Sequence, residues 1–220
     1  MKRLAMLLVV VAAVALATTV LSQPGAEVTS LRFEVTMARG LVPDAQDGRL
    51  FVILGKGREE PRFGIGATGL DVAPYLGTDA RAFVPGKTII LNQTSAIFPL
   101  THLAQLPAGE YTAQAVLHTN RDLNLVNAPG NLFSAPVAVK VDPAAGGVVK
   151  IELTKQIPAE ELPADTDQIK WIKLKSEKLS AFHRRPMYLR AGVVLPRDFD
   201  RNKDLRYPLR VHIGGYGTRS

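Results

Sequence analysis

From about residue 30 to residue 155, apolar and polar residues alternate in short runs separated by turn signals. In LRFEVTMA (31–38), Leu31, Phe33, Val35 and Met37 alternate with Arg32, Glu34, Thr36 and Ala38, the period of a half-buried strand. Asp44 to Gly48 read as a turn, and RLFVILG (49–55) as a second, more buried strand. Residues 56–86 are broken by Pro61, Pro74, Pro85 and six glycines and read as irregular. KTIILNQ (87–93) predicts a third strand. Pro107-Ala108-Gly109 then turns into a strand in which Tyr111, Ala113, Ala115 and Leu117 alternate with Thr112, Gln114, Val116 and His118. After a polar loop (120–131), APVAVKVD (135–142) and GVVKIELTK (147–155) predict two more strands, joined by a turn at Asp142-Pro143 and Gly146-Gly147.

About seven short strands without a long helix pack naturally as an all-β sandwich. A turn feeding a tyrosine at a strand start, as at Tyr111, is common at the corner of an immunoglobulin-like sandwich, where the hydroxyl ties down the connecting loop. Residues 26–155 are therefore expected to form an immunoglobulin-like domain. QIPAEELPADTDQ (156–168), with two prolines and four acids, reads as an exposed linker. IKWIKLKSEKLSAFH is basic and amphipathic; MYLRAGVVLP (187–196) and YPLRVHIGG predict two strands around the charged turn DFDRNKD.

The first 22 residues stand apart. Lys2 and Arg3 precede an uncharged run from Leu4 to Leu21, and Ser22-Gln23-Pro24 ends it. This is the pattern of a secretory signal peptide, which implies a secreted or periplasmic protein. The alternative is an inner-membrane anchor formed by residues 4–21, just long enough to span a bilayer. Loss of Lys2 and Arg3 with a leader takes the net charge from +7 to +5. The nearest thing to a basic cluster is Lys170, Lys173, Lys175 and Lys178, then Arg184 and Arg185. Without an aromatic-rich stripe or a binding motif beside it, this is a solvated face and the reading is against nucleic acid. Zero Cys excludes a disulfide framework, a thiolate metal site and a cysteine nucleophile.

Several patterns touch on chemistry. Gly64-Ile65-Gly66-Ala67-Thr68-Gly69 matches G-x-G-x-x-G, but Glu59-Glu60-Pro61-Arg62 precedes it and Pro74 follows, so the strand and helix of a dinucleotide site are missing and no cofactor is expected. Asp198, Asp200, Asn202 and Asp204 resemble the start of a calcium loop, but position 6 is Lys203 and position 12 is Leu209. The histidines (102, 118, 183 and 212) form no spaced pair, so no metal site follows from spacing. His118 and Asp122, at the mouth of the 120–131 loop, are candidate ligand contacts, with a loop-stabilising hydrogen bond as the ordinary alternative. None of the serines lies in G-x-S-x-G, so no nucleophile elbow is present and no catalytic residue is assigned.

RPMYLRAGVVLPRDFDRNKDLRYPLRVHIGGYG (residues 185–217) resembles the opening of the esterase-D-like branch of the α/β-hydrolases. Val193-Val194-Leu195-Pro196, a polar turn from Asp198 to Asp204, Tyr207-Pro208-Leu209 and Gly214-Gly215-Tyr216-Gly217 match the family's pieces in order and spacing. The resemblance implies that residues 169–220 are the first strands of an incomplete α/β-hydrolase domain, and that Gly214, Gly215, Tyr216 and Gly217 form an oxyanion loop. There a backbone N–H, that of Tyr216 or a neighbour, would bind the oxyanion. The family often has His directly before the glycines, whereas here His212 lies two residues before Gly214, which leaves it without an assigned role. Secreted esterases of this type often carry a β-sandwich ahead of the hydrolase domain. The whole then reads as the non-catalytic N-terminal portion of a secreted esterase, truncated before its nucleophile, with a cell-surface polysaccharide or an ester substrate as partner. The alternative is a free-standing secreted β-sandwich binding or structural module.

Overall fold

The computed structural model describes residues 28–215 apart from 58, 68–71, 198, 202 and 203. The leader expected at 1–22, the end of the 64–69 glycine motif, and Asp198 and Asn202 of the calcium-like run lie outside the described residues. The chain divides into two units between residues 159 and 160. Among the described residues, no helix is long and apolar enough to cross a membrane.

The first unit is almost entirely β. Its strands are β1 (Arg32–Met37), β2 (Gln46–Gly55), β3 (Tyr75–Phe83), β4 (Ile89–Leu91), β5 (Ala96–Phe98), β6 (Gly109–His118), β7 (Leu132–Ser134), β8 (Val137–Val141) and β9 (Val148–Gln156). They form one curled sheet in the order β4-β1-β9-β7-β6-β2-β3-β5. β6 is its hub. Antiparallel β2 takes one edge, and β8 and then β7 share the other, β8 from Gly109 to Ala113 and β7 at Val116 and Leu117. β1 and β9 run parallel, with Phe33 opposite Val149 and Val35 opposite Ile151.

Alternation decides which residues enter the core. Phe33, Val35 and Met37 of β1, Leu50, Val52 and Leu54 of β2, and Ala113, Ala115 and Leu117 of β6 are all buried in one cluster. The alternate residues Arg49, Phe51 and Ile53 take the outer face of β2, as period 2 requires. Ala113 and Ala115 keep the hub thin enough for the curled sheet to close over Phe33 and Phe83, both fully buried. Each large apolar side chain so buried contributes about 1.5–3 kcal/mol relative to exposure. At the start of β6 the Tyr111 hydroxyl donates to the Pro107 carbonyl at 2.7 Å, tying strand to turn as expected of a tyrosine there.

β3 was not legible in the sequence. YLGTDARAF carries a glycine, a charge of each sign and flanking prolines, all weak strand signals. It is a strand because it satisfies the free edge of β2, from Gln46↔Phe83 to Ile53↔Tyr75. The register shifts between Gln46 and Gly48, and the Asp47 carboxylate accepts from the Ala82 N–H at 2.8 Å, where Ala82 turns at φ 43°. Gly48 is required by space, since any Cβ would collide with the His118 carbonyl oxygen and sit 3.0 Å from its carbon.

The second unit holds β10 (Ile169–Lys175), α1 (Glu177–His183) and β11 (Tyr188–Val194). β10 and β11 pair antiparallel as a separate two-stranded sheet, with Lys173 opposite Arg190 and Leu174 opposite Leu189. The basic amphipathic stretch is thus a strand followed by a helix. Ser176 makes the switch: its hydroxyl accepts from the Leu179 N–H at 3.3 Å as the N-cap, and α1 ends on Arg184 in the left-handed region. The strand expected within 206–215 is not formed. Residues 205–215 are irregular, and Leu209, Val211 and Ile213 are 72–87% exposed. A strand exists only where a neighbouring strand accepts its backbone hydrogen bonds, and residues 205–213 have no strand partner among the described residues.

Replacing Gly48 by Ala is expected to destabilise the first unit by about 1–3 kcal/mol, because backbone rather than a mobile side chain occupies the space. Urea unfolding followed by far-UV circular dichroism measures it, and an unchanged midpoint would contradict the packing described for the β2–β6 pair.

Candidate functional site

The outer face of the first unit is where polar chemistry gathers. Gly55 ends β2 and lets the chain fold back, since a Cβ there would press on the Pro61 ring at 3.1 Å. Pro61–Gly64 forms a 3-10 turn, with proline supplying its fixed φ at the start. The turn lies over Gln114, an outward-facing residue of β6 with no exposure.

Gln114 is fully used. Its Oε1 accepts from the Arg62 N–H at 3.0 Å, and its Nε2 donates to the Ser134 carbonyl at 2.9 Å and toward Glu60 at 3.4 Å. Arg62 is only 9% exposed. Its Nε is paired with the Glu60 carboxylate and its Nη1 donates to Asn127 Oδ1 at 2.6 Å. The guanidinium carbon lies 4.2 Å from the centre of the Phe133 ring and 4.5 Å from that of Phe63. A buried cation is tolerable only when paired and hydrogen-bonded, and here two aromatic faces add to the pairing. The hydrogen bond from Arg62 holds the Glu60 carboxyl below its ordinary range, against the upward push of burial and with Gln114 and Lys155 assisting. Ser134 is equally committed: its hydroxyl accepts from the Ala115 N–H at 3.0 Å and donates to the Ala135 carbonyl at 2.8 Å. These groups lock the turn at residues 60–64 onto the sheet. The Ser134 hydroxyl is thus committed to backbone groups and, among the described residues, is hydrogen-bonded to no His, Asp or Glu side chain.

The loop bearing the two predicted ligand residues is organised from its far end. Asn131, fully buried, accepts from the N–H groups of Thr119 and Asn120 at 3.0 and 3.1 Å and donates to the carbonyls of Leu125 and Val126 at 3.0 and 3.1 Å. Both lone pairs and both N–H bonds of its amide are thereby satisfied. Asn120 repeats the device, accepting from Asp122 and Leu123 and donating to Pro129. His118 Nε2 lies 3.2 Å from the Leu123 carbonyl, a partner that requires the proton on that nitrogen. His118 and Asp122 both belong to this loop, His118 as part of its internal bonding and Asp122 at an exposed bend.

Of the predicted oxyanion loop, Gly214 and Gly215 lie in exposed irregular backbone after Ile213; Tyr216 and Gly217 fall outside the described residues. The second unit carries a cleft of about 390 Å³ lined by Asp167, Gln168, Pro196, Arg197, Phe199, Asp200 and Arg201. Its carboxylates and guanidiniums are mixed, and among the described residues no three His, Asp or Glu side chains are grouped to hold a metal. His102 is at the start of a 3-10 turn, with its N–H donating to Gln105, and His183 closes α1 beside Phe182.

The Arg62 cluster escaped the sequence because its members span residues 60–155 and only Glu60-Pro61-Arg62 is local. That tripeptide signals a proline-led turn; the burial of its arginine comes from the β6–β7 pairing that sets Gln114 near Phe133. No protein-family description, curated protein or solved structure matches the chain.

Two outcomes follow from this bonding. Asn131→Ala removes the acceptor of two part-buried N–H groups and the donor of two carbonyls, and is expected to cost about 1–3 kcal/mol, with amide exchange accelerated across residues 119–126. The Glu60 carboxyl is depressed in the folded state, so its contribution is present above the ordinary glutamate pKa of about 4.3 and is lost as pH falls below it. Because Glu60 is more than a third exposed, Glu60→Gln is expected to lower stability at pH 7 by only about 1 kcal/mol. The two proteins should converge as pH falls through the lowered pKa of the folded state; a difference that stays constant from pH 7 down to acid unfolding in thermal melts would remove the ion pair from the account.

Proposed function

We propose that the chain is the non-catalytic portion of a secreted esterase-like protein, in which an immunoglobulin-like sandwich serves as an accessory or binding domain. The linker expected at 156–168 begins later than that, since Gln156 ends β9 and the Ile157 backbone bonds to Gly130 and Asn131, and residues 169–220 contribute the opening strands of an α/β-hydrolase-type sheet. The observation that carries this reading is the state of the second unit. A two-stranded sheet is marginal in water unless further strands or a helix pack on it. β10–β11 leaves Leu174 and Leu189, cross-strand partners on one face, each more than half exposed. The apolar Leu209-Arg210-Val211-His212-Ile213 segment follows unpaired. These are the parts of a larger sheet, and an antiparallel pair at the edge of a mostly parallel sheet is a common arrangement.

The first unit supports the sandwich reading through the Tyr111–Pro107 tie and the parallel pairing of the first and last strands, β1 and β9. Its closed core suits a domain that folds without the hydrolase segment. Binding rather than hydrolysis is the role open to it, since its one buried serine in the polar cluster, Ser134, is consumed in backbone hydrogen bonds. A free-standing secreted binding module is the second reading, favoured by that same completeness of the first unit.

The 220-residue chain is expected to release no nitrophenol from short-chain nitrophenyl esters above a vector control. The source DNA read past codon 220 is expected to continue, in one of its three frames, with strand–helix units and a G-x-S-x-G. A firm stop followed by unrelated sequence would overturn the esterase reading and leave the free-standing module, and ester hydrolysis by the chain itself would overturn the assignment as non-catalytic.

A further inference from the structure

A row of aromatic side chains crosses three strands on the outer face of the first unit, away from the Arg62 lock. Tyr75 of β3 is paired with Phe98 of β5, and their ring centres are 5.5 Å apart with planes tilted by 41°. Phe51 of β2 meets Tyr75 edge-on at 6.1 Å. Opposite Phe51 stands Gly77, where a Cβ would come within 3.2 Å of two atoms of the phenyl ring. The missing side chain lets the Phe51 ring settle onto backbone, so the row stays low and continuous. One register step along, Arg49 donates to Asp79 at 2.7 Å, and both remain well exposed.

We infer that this row is a binding site for a soluble, neutral polysaccharide chain, an assignment that rests on the binding-domain reading of the first unit. The chemistry selects the occupant. Sugar rings present C–H faces that pack on aromatic faces and a rim of hydroxyls that needs donors and acceptors. The rings of Tyr75 and Phe98 supply the first, and the Arg49–Asp79 pair supplies the second. Size argues against a protein partner. Phe98 is 45% exposed and the other two rings are half-buried, so on the order of 200 Å² of ring surface is open. A standard protein interface needs about 800 Å² per partner.

Charge argues against a polyanion. Residues 23–159 hold 12 Lys and Arg against 12 Asp and Glu, so the unit bearing the row offers no field to steer an acidic polymer. The tilt between Tyr75 and Phe98 fits successive sugars rotated about the chain axis, as in a dissolved glycan, better than the flat face of a crystalline one.

The test is native gel electrophoresis of the full chain through gels containing mixed-linkage β-glucan, neutral xylan or galactomannan, with heparin as the anionic control. At least one neutral glycan is expected to retard the protein, equally at low salt and in about 0.5 M NaCl, where exposed charges are screened. Phe98→Ala is expected to weaken retardation about 10-fold, and Phe98→Trp to preserve it, since a larger ring face is kept. Phe98 is about half exposed, so both variants should stay folded, Phe98→Ala with a thermal midpoint lowered by a few degrees at most for the lost contact with Tyr75. Retardation that Phe98→Ala leaves intact would sink the site while leaving the binding domain standing. Retardation by heparin alone, abolished by salt, would overturn the neutral ligand, and no retardation by any polymer would overturn both the site and the binding role.

Discussion

β6 is paired on both edges, with β2 from Thr112 to His118 on one and with β8 and then β7 on the other, and the first unit depends on that. In a strand paired on both edges the backbone is largely committed, so the side chains decide what lies above and below it. Ala113, Ala115 and Leu117 face the core, while Gln114 and Val116 are also buried on the opposite side. A strand buried on both faces inside a sheet that is otherwise solvated on one side demands a cover. The turn at residues 60–64 is that cover, and its cost is a polar residue beneath it, Gln114, which must be hydrogen-bonded throughout.

The polar interior of the outer face follows from this demand. Gln114 selects the backbone of Arg62, Arg62 then lies against Phe133, and Glu60 and Asn127 complete its bonding. Asn131 does the same at the other end of β6, where the chain leaves the sheet at Thr119 and returns at β7. Both clusters use every hydrogen-bonding group that faces inward. Groups so committed are poorly suited to contact a ligand or move a proton. The uncovered part of the same face, across β2, β3 and β5, carries aromatic rings instead, where shallow contact with a partner needs no reorganisation.

The second unit shows the opposite condition. Its two strands each have one paired edge, and its ion pairs, Lys170–Asp165, Lys175–Glu177 and Arg190–Glu160, span 3.2–3.8 Å at exposed positions. Pairs of that kind are worth little in water. Residues 160–220 also hold 13 Lys and Arg against 8 Asp and Glu, the whole of the excess positive charge outside residues 1–22. Among the described residues, apolar positions such as Leu174 and Leu189 therefore have neither a core nor a strong electrostatic substitute for one.

Alternation in the chain by itself determined β1, β2, β6, β8 and β9, because each presents one apolar face at period 2 and a turn at its end. It also placed Tyr111 at a strand start with a carbonyl in reach, a local relation spanning four residues. Tertiary structure decided the rest. β3 is a strand through pairing with β2 rather than through its own composition, and residues 207–213, better strand formers by pattern, are not a strand for want of a neighbour. The Arg62 cluster, the Asn131 anchor and the aromatic row each draw on segments brought together only by sheet register. Periodicity is a property of one segment, whereas a hydrogen-bond partner or a ring neighbour belongs to another, and only the folded sheet determines which segments meet.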